Sequence, residues 1–484
     1  LRKEIKLLAV LWFCSLIVVS TGTYFGLHGY EKKRNGTGED MAPLQQAQKD
    51  LEKVARAYEL IRNGYVEKVE EKALIEGAIE GMISKLGDPY SAYMNQTMSR
   101  QLNETLDSAF EGIGAEISEI DGKIVIIAPF KNSPAEKAGL KPNDQILTVD
   151  GIEVGGRRVY EVTSMIRGKK GTEVTLEIVR EGMDHPLKIT VVRDRIPIQT
   201  VTSKLIDRGG KRIGSIEISS FSRDTGKDFS AHLRKLEEKR MDGLILDVRG
   251  NPGGLLGSVE EIARHFVEAG KPILQIVQRN GEKEEVLSDN KGTKPYPIVV
   301  LIDKGSASAS EILAAALSEA EGIPLIGEKT FGKGTVQQQI DLGDGTQLKL
   351  TTYKWLTPKG NWIHGKGIAP DIKVTQPELF RLHPVIVEKP LKRDMNGEQV
   401  RQAQLVLKSL GFEPGRTDGY FDASTEKAVK HFQQVNGLSA TGLIDRDTAR
   451  RMEQIVKKEL ENPENDRQMQ MALRYFEYQK RGEK

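Results

Sequence analysis

Residues Ile298-Val-Val-Leu-Ile302 form an unbroken apolar run that ends at Asp303. A strand with water on one face alternates apolar and polar side chains, whereas a run that is apolar at every position belongs to a strand buried on both faces. Neighbouring segments extend the pattern. Ile213–Ile218 and Gly243–Val248 are strand-like, and Ser258–Ala269 and Glu311–Ala320 have helical spacing. Residues 195–393 are therefore predicted to be an α/β core.

The rest of the chain has other textures. Arg2, Lys3 and Lys6 precede an apolar run from Leu7 to about Leu27. Its length of about 20 residues is enough to cross a bilayer as a helix. The basic flank would stay cytoplasmic and place the remainder outside. No A-x-A site follows, so residues 1–30 are read as an uncleaved membrane anchor, with a cleaved signal segment as the alternative. Residues 31–104 begin with a polar linker, Glu31 to Pro43, and continue as helix from about Leu44 to Leu86, ended by Gly87-Asp88-Pro89. The chain has 484 residues, enough for several domains, and 71 Lys+Arg against 69 Asp+Glu, which argues against a dedicated nucleic-acid binder. Cys14 is its single cysteine, which leaves no disulfide within the chain and no cysteine metal cluster.

Residues 105–194 read as short strands and two helices: strand Lys123–Pro129, helix Ser133–Leu140, strand Asp144–Asp150 into a tight Asp-Gly turn, helix Val159–Ile166, and strand Glu173–Arg180. The Ser-Pro-Ala…Ala-Gly-Leu…Asp-Gln-Ile-Leu…Asp-Gly series resembles a bacterial PDZ domain, a small β barrel or sandwich with two helices. Such a domain adds an extended C-terminal peptide to a sheet edge. The resemblance implies that Gly112, Ile113 and Gly114 form the loop whose N–H groups receive the terminal carboxylate. Residues 394–456 carry three helical stretches with the series Asp418-Gly-Tyr-Phe-Asp422…Thr425…Phe432-Gln433…Thr441-Gly442. They are similar to the three-helix peptidoglycan-binding-like domain of wall enzymes. Residues 457–484 read as a charged amphipathic helix with Met469, Leu473 and Phe476 on one side. This helix and the N-terminal ones are candidate arms of a homodimer, since apolar faces are costly to leave exposed.

Two stretches carry chemistry. In Ile302-Asp-Lys-Gly-Ser-Ala-Ser-Ala-Ser-Glu311 a buried strand turns through very small residues into a helix. The helix start offers free N–H groups and a positive dipole end, and a serine at such a corner can act as nucleophile. The same residues could simply cap the helix. In Gly327-Glu-Lys-Thr-Phe-Gly-Lys-Gly334, Lys333 lies between two glycines. A lysine serves as base only when desolvation lowers its pKa by several units, and otherwise this is a solvated turn.

Taken together, these stretches resemble the carboxy-terminal processing, or tail-specific, serine proteases. Leu246-Asp-Val-Arg-Gly-Asn-Pro-Gly-Gly254 and Gly365-Lys-Gly-Ile-Ala-Pro-Asp371 match further segments of that family, and the PDZ-like region precedes the core as it does there. The resemblance spans about residues 75–375. It implies Ser308 as nucleophile, Lys333, 25 residues later, as base, and Gln337 as the residue that orients the lysine. It also implies an oxyanion hole from the N–H groups of Ala309 and Gly253. Ser306 and Ser310 compete with Ser308, because alternation alone leaves open which hydroxyl faces Lys333. Arg167, at the end of the second PDZ helix, is a candidate for coupling peptide binding to assembly of the site, or a helix-end charge.

The expectation is a multidomain α/β protein on the extracytoplasmic face of a bacterial membrane, a PDZ-regulated serine endopeptidase. Its partners would be protein or peptide substrates with free C-termini, a second copy of the chain and possible peptidoglycan, with neither metal nor organic cofactor. The resemblance implies envelope-protein processing. Relatives in spore-forming bacteria add developmental signalling. The alternatives are a Ser-His-Asp hydrolase, although no G-x-S-x-G elbow is present, and a non-catalytic PDZ and wall-binding scaffold.

Overall fold

The structure, a computed structural model, describes residues 41–478 apart from 121, 181, 182, 184, 291 and 388. The expected membrane segment at 1–30 lies outside the described residues, and among those described no helix is long and apolar enough to cross a membrane. The chain divides into two compact units between Tyr93 and Met94.

The first unit contains helices α1 (Met41–Gly64) and α2 (Glu71–Ser84). Residues 41–43, inside the stretch read as linker, are helical. Arg62 of α1 pairs with Glu71 of α2 at 2.9 Å. No residue of α2 is buried, and Leu60, Ile61, Ile75 and Met82 stand exposed.

The second unit opens with α3 (Gln96–Leu106). Strands β1 (Ala109–Gly112), β2 (Ala115–Ile120) and β3 (Lys123–Pro129) follow, then the single turn α4 (Pro134–Lys137), β4 (Gln145–Val149), β5 (Ile152–Glu153), α5 (Val159–Ile166), β6 (Glu173–Val179), β7 (Leu187–Val192) and β8 (Asp194–Pro197). The antiparallel order is β2-β3-β4-β6-β7, with β5 on β4 and β1 paired to β8. The predicted Ser133 cap is present, its Oγ accepting the Glu136 N–H at 3.2 Å, with Pro134 at the first turn. Ile126, Ile146, Val162, Leu176 and Ile178 make a closed core beneath this sheet.

The α/β core is one six-stranded sheet. β9 (Val201–Arg208), β10 (Lys211–Ile218), β11 (Gly243–Asp247), β14 (Ile298–Ile302), β15 (Leu325–Gly327) and β18 (Ile372–Lys373) lie side by side in that order, parallel except for β9. Helices α6 (Thr225–Glu238), α7 (Leu256–Ala263) and α8 (Ala309–Glu321) cover one face, where Leu244, Leu246, Val300 and Ile302 point. The intervening residues Ile245, Val299 and Leu301 point the other way, so both faces need cover. A smaller antiparallel sheet of β12 (Pro272–Val277), β13 (Lys283–Leu287), β16 (Thr335–Asp341) and β17 (Gln347–Leu356) borders the core, in the order β16-β17-β12-β13.

Helices α9 (Glu398–Ser409), α10 (Ala423–Val435) and α11 (Arg446–Glu461) form the expected three-helix unit around Phe421, Phe432 and Met452. The last helix, α12 (Arg467–Tyr478), corrects the sequence reading. Its apolar side, Met469, Ala472, Leu473 and Phe476, is not an arm left for a partner. It packs on Ile213, Ile245, Val299 and Leu301 and closes the second face of the core sheet. The three-helix unit is thus inserted between the body of the core and the core's own final helix.

Candidate active site

Ser308 sits at the corner between β14 and α8, at φ 55° and ψ −112°. That conformation suits glycine and is costly for a residue with a Cβ. The backbone separates the three candidate serines. Ser306 is fully buried and its Oγ donates to the Val248 carbonyl at 2.8 Å. Ser310 is fully buried and its Oγ donates to the Asn251 carbonyl at 2.9 Å. Ser308 alone of the three lines a cleft of about 700 Å³, together with Ala309, Lys333 and Gln337. Leu102, Leu106, Leu255, Leu256, Ile312, Val336 and Trp355 give the same cleft apolar walls.

The lysine loop, which has little side chain of its own to hold it, is fastened from outside. Glu311, fully buried in the first turn of α8, accepts four hydrogen bonds. Its Oε1 takes the Thr330 hydroxyl at 2.6 Å and the Gly332 N–H at 2.7 Å. Its Oε2 takes the Lys333 N–H at 2.8 Å and the Ser308 N–H at 2.9 Å. Two indoles hold the loop's carbonyls: Trp355 Nε1 donates to Lys333 at 2.9 Å and Trp362 Nε1 to Gly334 at 3.0 Å. Gly332, at φ +94°, lies so close to the Gly365–Gly367 turn that a Cβ would meet the Gly367 nitrogen at 2.8 Å. This contact explains why the two glycine-rich motifs occur together.

Gln337 follows a bulge in the β16/β17 pairing, a device that re-aims a side chain. Its amide nitrogen donates to Thr335 Oγ1 at 3.1 Å and to Thr351 Oγ1 at 3.0 Å. The structure departs from the sequence reading at Gly253. Its N–H donates to Asn251 Oδ1 at 2.8 Å and is not turned to the cleft. The residue itself does abut the corner. At φ +104°, a Cβ there would come within 2.9 Å of Ser308 Cβ. Ala309 lines the cleft, as does Gly254.

In the PDZ-like region, Gly112, Ile113, Gly114, Ile117, Thr163, Ile166 and Arg167 line a narrow groove of about 70 Å³ between the β1–β2 loop and α5. Arg167 caps α5, pairs with Glu104 of α3 and lies over the Phe110 ring, 4.8 Å from its centre.

Serine–histidine pairs also occur, Ser230 Oγ with His265 Nε2 at 2.7 Å and Ser203 Oγ with His232 Nδ1 at 2.6 Å. Burial holds both imidazoles below their usual pKa. Neither pair lines the Ser308 cleft, and Ser230 also donates to the Gly226 carbonyl within its own helix. They read as packing contacts. Among the described residues no group of three His, Cys, Asp or Glu is placed to hold a metal ion.

A strained serine at a strand–helix corner, lining one cleft with a lysine, is an arrangement that fits a serine peptidase. Comparison with known sequences agrees. The pattern of peptidase family S41 matches residues 212–374, a PDZ domain matches 112–191, and a peptidoglycan binding domain matches 396–452. The N-terminal domain of the activating protease CtpB matches 16–98. The chain is 48% identical to the carboxy-terminal processing protease CtpB of Bacillus subtilis over 97% of this chain and 98% of that one. It is 43% identical to CtpA of the same organism, over 87% and 89%. Among solved structures, the photosystem II D1 C-terminal processing protease is 29% identical and covers 65% of this chain and 86% of its own, with a TM-score of 0.41. The chain belongs to the S41 family and is a carboxy-terminal processing serine protease with a PDZ domain.

Proposed function

We propose that Ser308 is the nucleophile, Lys333 its general base and Gln337 the residue that orients the lysine. The observation that carries this reading is the contrast among the serines: Ser306 and Ser310 spend their hydroxyls inside the core, and Ser308 faces the cleft shared with Lys333. The Ser308 hydroxyl attacks the substrate carbonyl while the neutral Lys333 amine takes its proton. Lys333 then returns that proton to the leaving amine. Water then attacks the acyl-enzyme while giving a proton to the same lysine, and Lys333 passes that proton to Ser308 Oγ as the ester bond breaks and the acid product leaves. With its amide nitrogen committed to two threonines, Gln337 offers its carbonyl oxygen to the lysine. The Ala309 N–H supplies one oxyanion donor. The Gly253 N–H would become a second only after leaving Asn251. The apolar walls of the cleft favour an aliphatic side chain beside the scissile bond.

Substrate tails would dock by their terminal carboxylate at Gly112, Ile113 and Gly114. Arg167 would report that event through α3, which carries Glu104 on one side and lines the cleft with Leu102 and Leu106 on another. The peptidoglycan-binding match points to work outside the cytoplasm. Within that setting, the proposed role is regulated cleavage of envelope or membrane-associated proteins by an enzyme anchored through residues 1–30. A homodimer built on α1 and α2 is supported by their exposed apolar side chains. The test is cleavage of casein, as an unfolded model protein, by the chain from about residue 35, beside Ser308→Ala and Lys333→Ala. Both folded variants should be inactive. Retained activity in either moves the nucleophile or the base elsewhere.

A further inference from the structure

A second polar centre lies at the start of the glycine-rich loop, whose far end at Gly253 abuts Ser308. Arg249, the first loop residue after Val248, is almost enclosed. Its Nε and Nη2 donate to Asp247 at 2.9 and 2.6 Å, at the end of β11. Its Nη1 and Nη2 also donate, one to each oxygen, to Asp466 at 2.8 Å. Asp466 comes from the far end of the chain. It caps α12 by accepting the Met469 N–H at 2.9 Å, and it accepts Gln376 Nε2 at 2.6 Å. Side-chain exposure is 16% for Arg249 and 17% for Asp466, so this is a two-pronged charged contact with little water to replace it.

From Arg249 the loop runs directly to the nucleophile. Gly250 N–H donates to Asp303 at 2.8 Å. The Asn251 carbonyl accepts from the Ala307 N–H at 3.0 Å and from Ser310 Oγ at 2.9 Å, on either side of Ser308. Gly253 then abuts the Ser308 Cβ. A displacement of Arg249 would therefore be passed along a few rigid residues to the Ser308 corner.

We infer that Asp466 is a positioning residue for proteolysis, holding the glycine-rich loop in register with Ser308 through Arg249. The inference rests on the reading of Ser308 as the nucleophile. The final helix is then a working part of the protease core, and the inserted three-helix unit is bounded by two contributors to one centre, Gln376 before it and Asp466 after it.

The experiment compares Asp466→Asn with the unmodified full chain and with Ser308→Ala. The readouts are casein cleavage, resolved into kcat and KM, and the rate of labelling by a fluorophosphonate probe, all well below the melting temperature. Asp466→Asn should lower kcat and labelling by about 10- to 100-fold, the scale of a small misplacement of reacting groups, with KM unchanged. A merely structural role would lower activity only in proportion to the unfolded fraction. A folded Asp466→Asn chain with kcat within about twofold of the unmodified one, while Ser308→Ala is dead, overturns this inference alone. Cleavage surviving in Ser308→Ala overturns the active-site reading and this inference with it. If Asp466→Asn does not fold, Gln376→Ala carries the test, because it removes a donor that orients Asp466. The same split in kcat supports the inference, and an unchanged kcat overturns it.

Discussion

Ser308 and Lys333 donate their backbone N–H groups to the same oxygen of Glu311, at 2.9 and 2.8 Å. One buried carboxylate therefore sets the spacing of Ser308 and Lys333, the proposed nucleophile and base, through their main chains. Glu311→Gln replaces one oxygen with an NH₂ group that cannot accept, so at least one pair of these donors loses its partner. Proteolysis should fall by about 10- to 100-fold. Glu311→Ala strands all four donors and should destabilise the chain by about 2 kcal/mol or more. Denaturant melts and fluorophosphonate labelling separate the two effects. Full labelling in Glu311→Gln would remove the spacing role.

The strained corner gives a sign that can be read without any substrate. At ordinary positions glycine is less stable than alanine by about 0.5–1 kcal/mol. At Ser308, with φ at 55°, the order should invert. Ser308→Gly should be the more stable variant by about 1 kcal/mol, since it loses the Cβ penalty that Ser308→Ala keeps. Both should be inactive. Ser306→Ala should instead lose about 1–3 kcal/mol, because it strands the Asp303 N–H that its hydroxyl accepts. Ser310→Ala should lose about 0.5–1.5 kcal/mol, since the Asn251 carbonyl keeps its bond from the Ala307 N–H, and both should retain activity in the folded fraction. Urea titrations of the four variants, with casein cleavage, check the whole pattern.

Gly253→Ala tests the close approach of the two loops. The added Cβ would meet the Ala307 carbonyl oxygen at 2.8 Å and Ser308 Cβ at 2.9 Å, at φ +104°. The backbone on both sides is fixed by hydrogen bonds, so the contact cannot be relieved by a rotamer change. Activity should be lost, with a lowered melting temperature. A fully active Gly253→Ala would show that the corner is softer than its packing indicates.

Much of this arrangement could be read from sequence, for reasons that differ by element. The run Ile298–Ile302 is apolar at every position because α8 covers one face and α12 the other, and it reads correctly as a buried strand. Helix α12 is equally legible as amphipathic, with Met469, Leu473 and Phe476 on one side. An apolar stripe says that something covers it, but not what, and the homodimer reading of that stripe fails for this reason. Ser308, Lys333 and Gln337 line one cleft, and it is the family resemblance that singles them out, since neither stretch alone marks them as a set. Glu311 is present in the same motif, and a serine followed three residues later by glutamate is a capping-box signal. Its reach to Lys333 is not local and leaves no mark in the pattern. The Arg249–Asp466 pair spans 217 residues, and no local pattern carries such a contact.

Arg167 and Glu104 give a prediction about regulation. Their ion pair joins the end of α5 to α3, and α3 borders the cleft. Arg167→Ala in the full chain should lower casein cleavage several-fold while a fluorescent C-terminal peptide still binds with affinity within about twofold. Glu104→Gln should reproduce the loss. Proteolysis unchanged in both would remove the coupling role and leave a helix-end charge.

The acid range tests the Arg249–Asp466 contact from the side of stability. Burial pushes the Asp466 carboxyl upward, but hydrogen bonds and charge from Arg249, with help from the Met469 N–H and Gln376, outweigh it and hold the group below its usual pKa. Burial likewise works to lower the Arg249 pKa and is outweighed by Asp247 and Asp466, so the guanidinium stays charged throughout. Lys204, Glu217, Asp303, Lys304, Glu328 and Arg381 also line the surrounding pocket. Since the folded value for Asp466 lies below the unfolded one, near 3.9, the unfolded chain binds the proton first. The stabilisation is fully present above that pH and is lost as pH falls through the folded value. The melting temperature of the unmodified chain should therefore drop more steeply than that of Asp466→Asn below about pH 4, and the two curves should converge as the contact is protonated away. Parallel curves from neutral pH to about pH 3 would mean that Asp466 gains nothing from Arg249 on folding, which would weaken the physical basis for its hold on the loop.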